Sequence, residues 1–126
     1  MGAPAPPAAL LIAEAAFRHR LAELREGVWL RPDNLDQALP QGVAWFRSLP
    51  DDDPVALATR LWDLGGWAAA ADGLRRRITV LGDEPDLAEG FIVSAAVLRH
   101  LQSDPLLPVA LLPHGWPGDA LRAEYD

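Results

Sequence analysis

Arg99 and His100 stand side by side within the apolar run Phe91 to Leu101, and that placement makes them the first candidates for chemistry. On a helix Arg99 shares a face with Ile92 and Ala96, where a guanidinium can grip the phosphate or carboxylate of an effector through paired N–H donors. The competing reading is an internal ion pair with Asp63, Asp104 or Asp119, and it is favoured because charges that enter cores do so with a partner. His100 has the chemistry to hydrogen-bond a ligand, bind metal or sense pH. His19, His100 and His114 are far apart and none stands at a metal-ligand spacing from another, so a packed or surface histidine is the preferred reading. Trp62, Trp67 and Trp116 offer rings for an aromatic pocket that would take an acyl or phenyl group. With five tryptophans in so short a chain, closure of the core between helices is the stronger expectation.

The remaining clusters point to ordinary surface. Arg75-Arg76-Arg77 projects mainly away from the apolar stripe of its own segment, which describes a solvated helix face, with a phosphate contact as the alternative. Asp51-Asp52-Asp53 precedes Pro54 without the spaced ligands of a calcium loop, and reads as a turn and a helix cap. No nucleophile elbow, phosphate-cradling glycine loop or metalloprotease helix is present, so the sequence offers no catalytic residue, no metal site and no cofactor motif.

The chain has 126 residues, half of them hydrophobic, which is enough for one real core. Its net charge of −7 opposes a phosphate backbone, so DNA contact is expected from some other segment. The absence of cysteine excludes disulfides and thiolate chemistry and agrees with a cytoplasmic setting. No export signal or membrane span is legible, since the early apolar run is cut by Glu14.

These residues need elements to position them. Residues 1–7 read as a disordered Pro/Ala lead-in. From Ala8 a helix is expected along the stripe Leu10, Ala13, Phe17, Leu21 and Leu24, with Glu14 and Arg18 as a solvent-side pair and Gly27 ending it. Val28 to Arg31 and Val43 to Arg47 read as two partner strands carrying Trp29 and Trp45. After Leu49 the pattern turns helical. Asp53-Pro54 starts a helix through Leu57 and Leu61; Asp63 caps the next, with Trp67, Ala71, Leu74, Ile78 and Leu81 on one stripe before Gly82. The Gly65-Gly66 pair weakens its first turn. A third helix, from about Asp86 to Ser103, is apolar nearly all round and is expected at the centre of the core. Pro105, Pro108, Pro113 and Pro117 divide the rest into turns and a last helix from Pro117 to Glu124.

The stretch Phe91-Ile92-Val93-Ser94-Ala95-Ala96-Val97-Leu98-Arg99-His100-Leu101-Gln102-Ser103-Asp104-Pro105-Leu106-Leu107-Pro108, followed by Leu111-Leu112-Pro113-His114-Gly115-Trp116-Pro117-Gly118, resembles the end of PaaX-like transcriptional repressors. In that family, regulators of phenylacetic acid degradation, an apolar helix carries Arg-His and is followed by Asp-Pro-Leu-Leu-Pro, a Leu-Leu-Pro step and Trp-Pro-Gly. Leu61-Trp62-Asp63-Leu64 ahead of Trp67, and Gly27-Val28-Trp29-Leu30-Arg31-Pro32, look like further landmarks.

The resemblance implies an α+β chain with a predominantly helical C-terminal domain over residues 51–126. It implies an incomplete ferredoxin-like α/β segment over 8–50, in which the Pro/Ala lead-in replaces a first strand, as in a truncated, degenerate or excised form. It further implies a homodimer that binds an acyl-CoA effector such as phenylacetyl-CoA; the resemblance assigns no contact residue, and Arg99, His100, Trp62, Trp67 and Trp116 are the effector-binding candidates by their own chemistry, as read above. DNA would be reached only through a winged-helix domain absent from this chain. The alternative is a non-enzymatic protein-interaction module, a repressor remnant that senses no small molecule.

Overall fold

The computed structural model describes residues 16–35, 41–51, 53–82 and 86–125. The Pro/Ala lead-in and the start of the helix expected from Ala8, including Leu10, Ala13 and Glu14, lie outside them. The fold is α+β: a two-stranded antiparallel sheet of β1 (Ala22–Arg25) and β2 (Val28–Leu30) precedes the helices. These are α1 (Pro54–Leu61), α2 (Leu64–Leu81), α3 (Leu87–Gln102) and α4 (Gly118–Tyr125), with one 3-10 turn at Val109–Leu111.

The expected helical starts and stops hold. Asp53 accepts a hydrogen bond from the Val55 N–H and Pro54 occupies the first turn of α1, where a missing N–H costs nothing. Asp63 caps α2 by accepting from the Gly66 N–H at 3.0 Å. Gly66 does more than weaken that turn, because a Cβ there would come within 3 Å of all three atoms of the Asp63 carboxylate. Gly82 ends α2 at φ 69°.

The first helix ends earlier than its stripe suggests. Leu21 N–H donates to the Ala16 carbonyl at 2.8 Å and Arg20 N–H to Phe17 at 3.2 Å, the nested pair of a left-handed helix terminus, with Arg20 at φ 59°. The chain then reverses into β1, so Leu24 belongs to a strand, and Gly27 at φ 80° serves the hairpin turn instead of a helix end. Ala22 pairs with Leu30 and Glu23 with Trp29, with an irregularity before Arg25. The partner of β2 is therefore its neighbour in sequence. Residues 43–47 form no strand, and Trp45 does not face Trp29 across a sheet. A short hairpin closes a much smaller loop than a pairing across the proline turn, which explains the choice.

The helices pack as two joined clusters. Trp67 and Ala71 of α2, Val93 and Val97 of α3 and Leu121 of α4 form one; Ala58, Leu64 and Leu107 form the other, and Trp116 packs against both. The stripe read from α2 faces this core as expected. α3 does not sit at the centre: only Val93 and Val97 are buried along it, while Phe91 and Ile92 are 76% and 61% exposed. A helix apolar on every side has two faces to cover, and the described residues cover one.

The hairpin is held to the helices by polar contacts at the turn after α3. Asp104 is 1% exposed. Its carboxylate receives the Leu106 N–H at 2.9 Å and the Arg122 guanidinium of α4 at 2.5 Å. Its backbone carbonyl receives Arg20 Nε at 2.8 Å. Arg31 Nη2 and Asn34 Nδ2 both donate to the Leu106 carbonyl, at 3.1 and 2.9 Å. Burial, and after it the nearby Arg20 cation, lowers the Arg31 pKa from its ordinary value.

Removing Arg122 strands a buried carboxylate, whereas both side chains of the Arg75 to Glu124 pair at 3.0 Å are about a third open to solvent. Arg122→Ala is expected to cost about 3 kcal/mol and Arg75→Ala under about 1 kcal/mol in urea unfolding. Equal losses in the two variants would contradict this assignment.

Candidate functional site

The N-terminus of α2 and the C-terminus of α3 meet through Trp67 and His100. The Trp67 indole N–H donates to the His100 carbonyl at 3.1 Å, and His100 Nε2 lies 2.9 Å from the Trp67 carbonyl, which can only accept. The two side chains thus bond reciprocally to each other's backbone. Their rings stack at 4.3 Å with 18° between planes. On the other side Trp67 stacks on Trp116 at 4.8 Å and 14°, giving a column of three rings. Ser103 Oγ donates to the His100 carbonyl at 2.7 Å and lies 3.1 Å from the Trp67 indole nitrogen.

An open cleft of ≈ 360 Å³ lies against this column, with Trp62, Leu64, Trp67, His100, Ser103 and Pro105 among its lining. Asp63 sits in the same lining with one oxygen committed to the α2 cap. The cleft therefore combines flat aromatic and apolar walls with a carboxylate edge. Such a surface suits an apolar or aromatic group, and the Asp63 charge opposes an anion at the same spot.

Of the five candidate residues, Trp62, Trp67 and His100 line this cleft together. Trp116 supports it from behind, as the neighbour of Trp67 in the column. Arg99 stands apart. It is exposed on α3 and pairs with none of Asp63, Asp104 and Asp119. The cation that fulfils that role is Arg122, which holds Asp104 and lies 3.7 Å from Asp119. Sequence spacing gave no means of choosing between two arginines on different helices.

His100 occupies Nε2 with a backbone carbonyl, and no group of three or more acidic or histidine side chains among the described residues is arranged to hold a metal ion. Arg75 and Arg76 sit beside Asp72 and Glu124 on an open surface, with Arg75 bonded to Glu124. Residues that the sequence reading passed over, Arg20, Arg31 and Asn34, turn out to fix the loop bordering the cleft. The one available signal was the position of Arg31 within the landmark Gly27 to Pro32.

No protein-family model matches the chain, and no curated protein matches it. Among solved structures it is similar to the uncharacterized protein Rv0674 from Mycobacterium tuberculosis, at 42% identity and a TM-score of 0.75. The match covers 99% of this chain and 54% of that one, so the chain spans about half the length of that relative.

The landmark Trp116-Pro117-Gly118 is explained by close approach. A Cβ on Gly118 would lie 2.7 Å from the Trp116 indole nitrogen and 3.2 Å from Asp104 Oδ2, while Gly65 has open space around its Cβ position. Gly118→Ala is therefore expected to destabilise by about 1–3 kcal/mol and to shift tryptophan fluorescence, and Gly65→Ala to stabilise by about 0.5–1 kcal/mol. Thermal unfolding of both variants followed by fluorescence checks the contrast, and a stable Gly118→Ala protein with unchanged emission would refute the close-approach account.

Proposed function

We propose that this chain is the effector-binding and dimerising portion of a PaaX-like bacterial repressor of a catabolic operon. It acts in the cytoplasm and reaches operator DNA only through a winged-helix domain on another segment or chain. No helix among the described residues is long and apolar enough to cross a membrane.

The observation that supports the reading is convergence. Trp62, Asp63 and Trp67 come from one landmark stretch and His100 and Pro105 from another, and all line one aromatic cleft. Trp116, from the last landmark, braces it. The volume is at the low end for small-molecule pockets, enough for a phenyl or short acyl group and not for a whole coenzyme A. In this reading the thioester's acyl end lies against Trp62 and Trp67, and its nucleotide remains outside. The ligand acts by population shift: it lowers operator affinity only by as much as it prefers one arrangement of the dimer over the other.

The second reading, an interaction module without small-molecule sensing, draws on the uncovered apolar side of α3. It yields association and no ligand binding. Calorimetric titration with phenylacetyl-CoA, with coenzyme A and acetyl-CoA as controls, separates the two. Saturable heat with the phenylacetyl thioester is expected, weakened about tenfold or more by Trp62→Ala through loss of ring contact. No heat with any thioester would remove the effector role and leave the interaction module.

A further inference from the structure

Hydrogen-bond accounting along the aromatic cleft narrows what it can hold. The Trp67 carbonyl can only accept, so the proton of the neutral His100 imidazole sits on Nε2 and is spent there at 2.9 Å. Nδ1 is then a bare acceptor, and it is neither bonded nor buried among the described residues. Ser103 has one hydroxyl hydrogen, which goes to the His100 carbonyl at 2.7 Å, and its oxygen receives the Trp67 indole N–H at 3.1 Å. Asp63 accepts the Gly66 N–H with one carboxylate oxygen. The other oxygen has no partner, and no cation among the described residues pairs with it.

Donors are scarce by comparison. The backbone N–H groups of Leu64, Gly66, Trp67 and Ser103 are bonded within the fold, and Pro105 has none. The Trp62 indole N–H is the one side-chain donor of the lining without a partner among the described residues. The cleft thus joins flat apolar walls to unsatisfied acceptors, one of them charged. A plain phenyl ring laid over those acceptors takes water from them and returns no hydrogen bond, whereas a ring carrying a hydroxyl or amino group replaces what it displaces.

We propose that the cleft selects an aromatic group bearing a hydrogen-bond donor over the same ring without one, with Asp63 and His100 as the acceptors that read it. The inference rests on the effector reading above and names the class of acyl group, a hydroxyphenylacetyl or aminophenylacetyl thioester in place of the unsubstituted one. Its charge makes Asp63 the stronger of the two acceptors.

Calorimetric titration of the full chain with phenylacetyl-CoA, its three ring-hydroxylated isomers and the ring-aminated thioester tests the selection. At least one substituted thioester is expected to bind about tenfold tighter than phenylacetyl-CoA, the order of one hydrogen bond to a charged acceptor. Asp63→Asn keeps a side-chain oxygen for the α2 cap but turns the free acceptor into an amide donor, so the preference should fall to within about threefold. A general loss of structure weakens all the thioesters alike and leaves that ratio unmoved. Substituted thioesters that bind no tighter than phenylacetyl-CoA would overturn the selection and leave the effector reading standing. A tenfold preference that survives in Asp63→Asn would equally overturn it. No heat with any thioester would overturn both.

Discussion

The carboxylate of Asp104 is the constraint on which the rest depends. Taking a charge out of water is tolerable only if hydrogen bonds and a counter-charge replace the lost hydration, and here Arg122 and the Leu106 N–H do so. Meeting that requirement draws α4 against the turn after α3 and fixes the turn's shape. It also holds Leu106 at φ 50°, a left-handed conformation that side chains with a Cβ resist. Arg20 is in the same situation at φ 59°, and its side chain bonds the Asp104 carbonyl. The two residues with positive φ other than glycine among those described thus meet at one node, each held there by the contacts that need it.

The same node shapes the cleft. Gly118 lets Trp116 and the Asp104 carboxylate approach together, and Trp116 in turn lies flat on Trp67, whose other face is covered by His100. The rings owe their orientation to a buried ion pair on one side and to reciprocal backbone bonds on the other. The hairpin contributes from outside by holding the Leu106 carbonyl through Arg31 and Asn34. A surface built this way is already assembled, so a molecule docking on it would meet little ordering entropy.

The helices were legible because their signals are local. Asp53-Pro54, Asp63 and Gly82 mark ends by chemistry within one turn, and the stripe from Trp67 to Leu81 marks the buried face of α2. The hairpin was hidden because Leu21 and Leu24 suit a helical stripe as well as a strand. The stop itself is an arginine in a glycine-like conformation, secured by a carbonyl 84 residues away. No local pattern encodes such a contact. Arg99 illustrates the same limit: Asp104 was one of three carboxylates offered as its partner, but which arginine reaches Asp104 depends on how α4 returns across the bundle. The aromatic candidates fared differently, since three tryptophans flanking two helices have few ways to be buried apart. Trp62 and Trp67 did come together, and Arg99 fell outside their cleft.

The exchange of bonds between Trp67 and His100 limits how this molecule can move. Each side chain is tied to the other's main chain, so sliding α2 along α3 by even part of a turn breaks both bonds and the ring overlap at once. Rotation of the two helices as one body breaks none of them. A motion that keeps these contacts is therefore a swing of the joined pair, with the helix ends remote from the latch, at Leu81 and Leu87, travelling furthest.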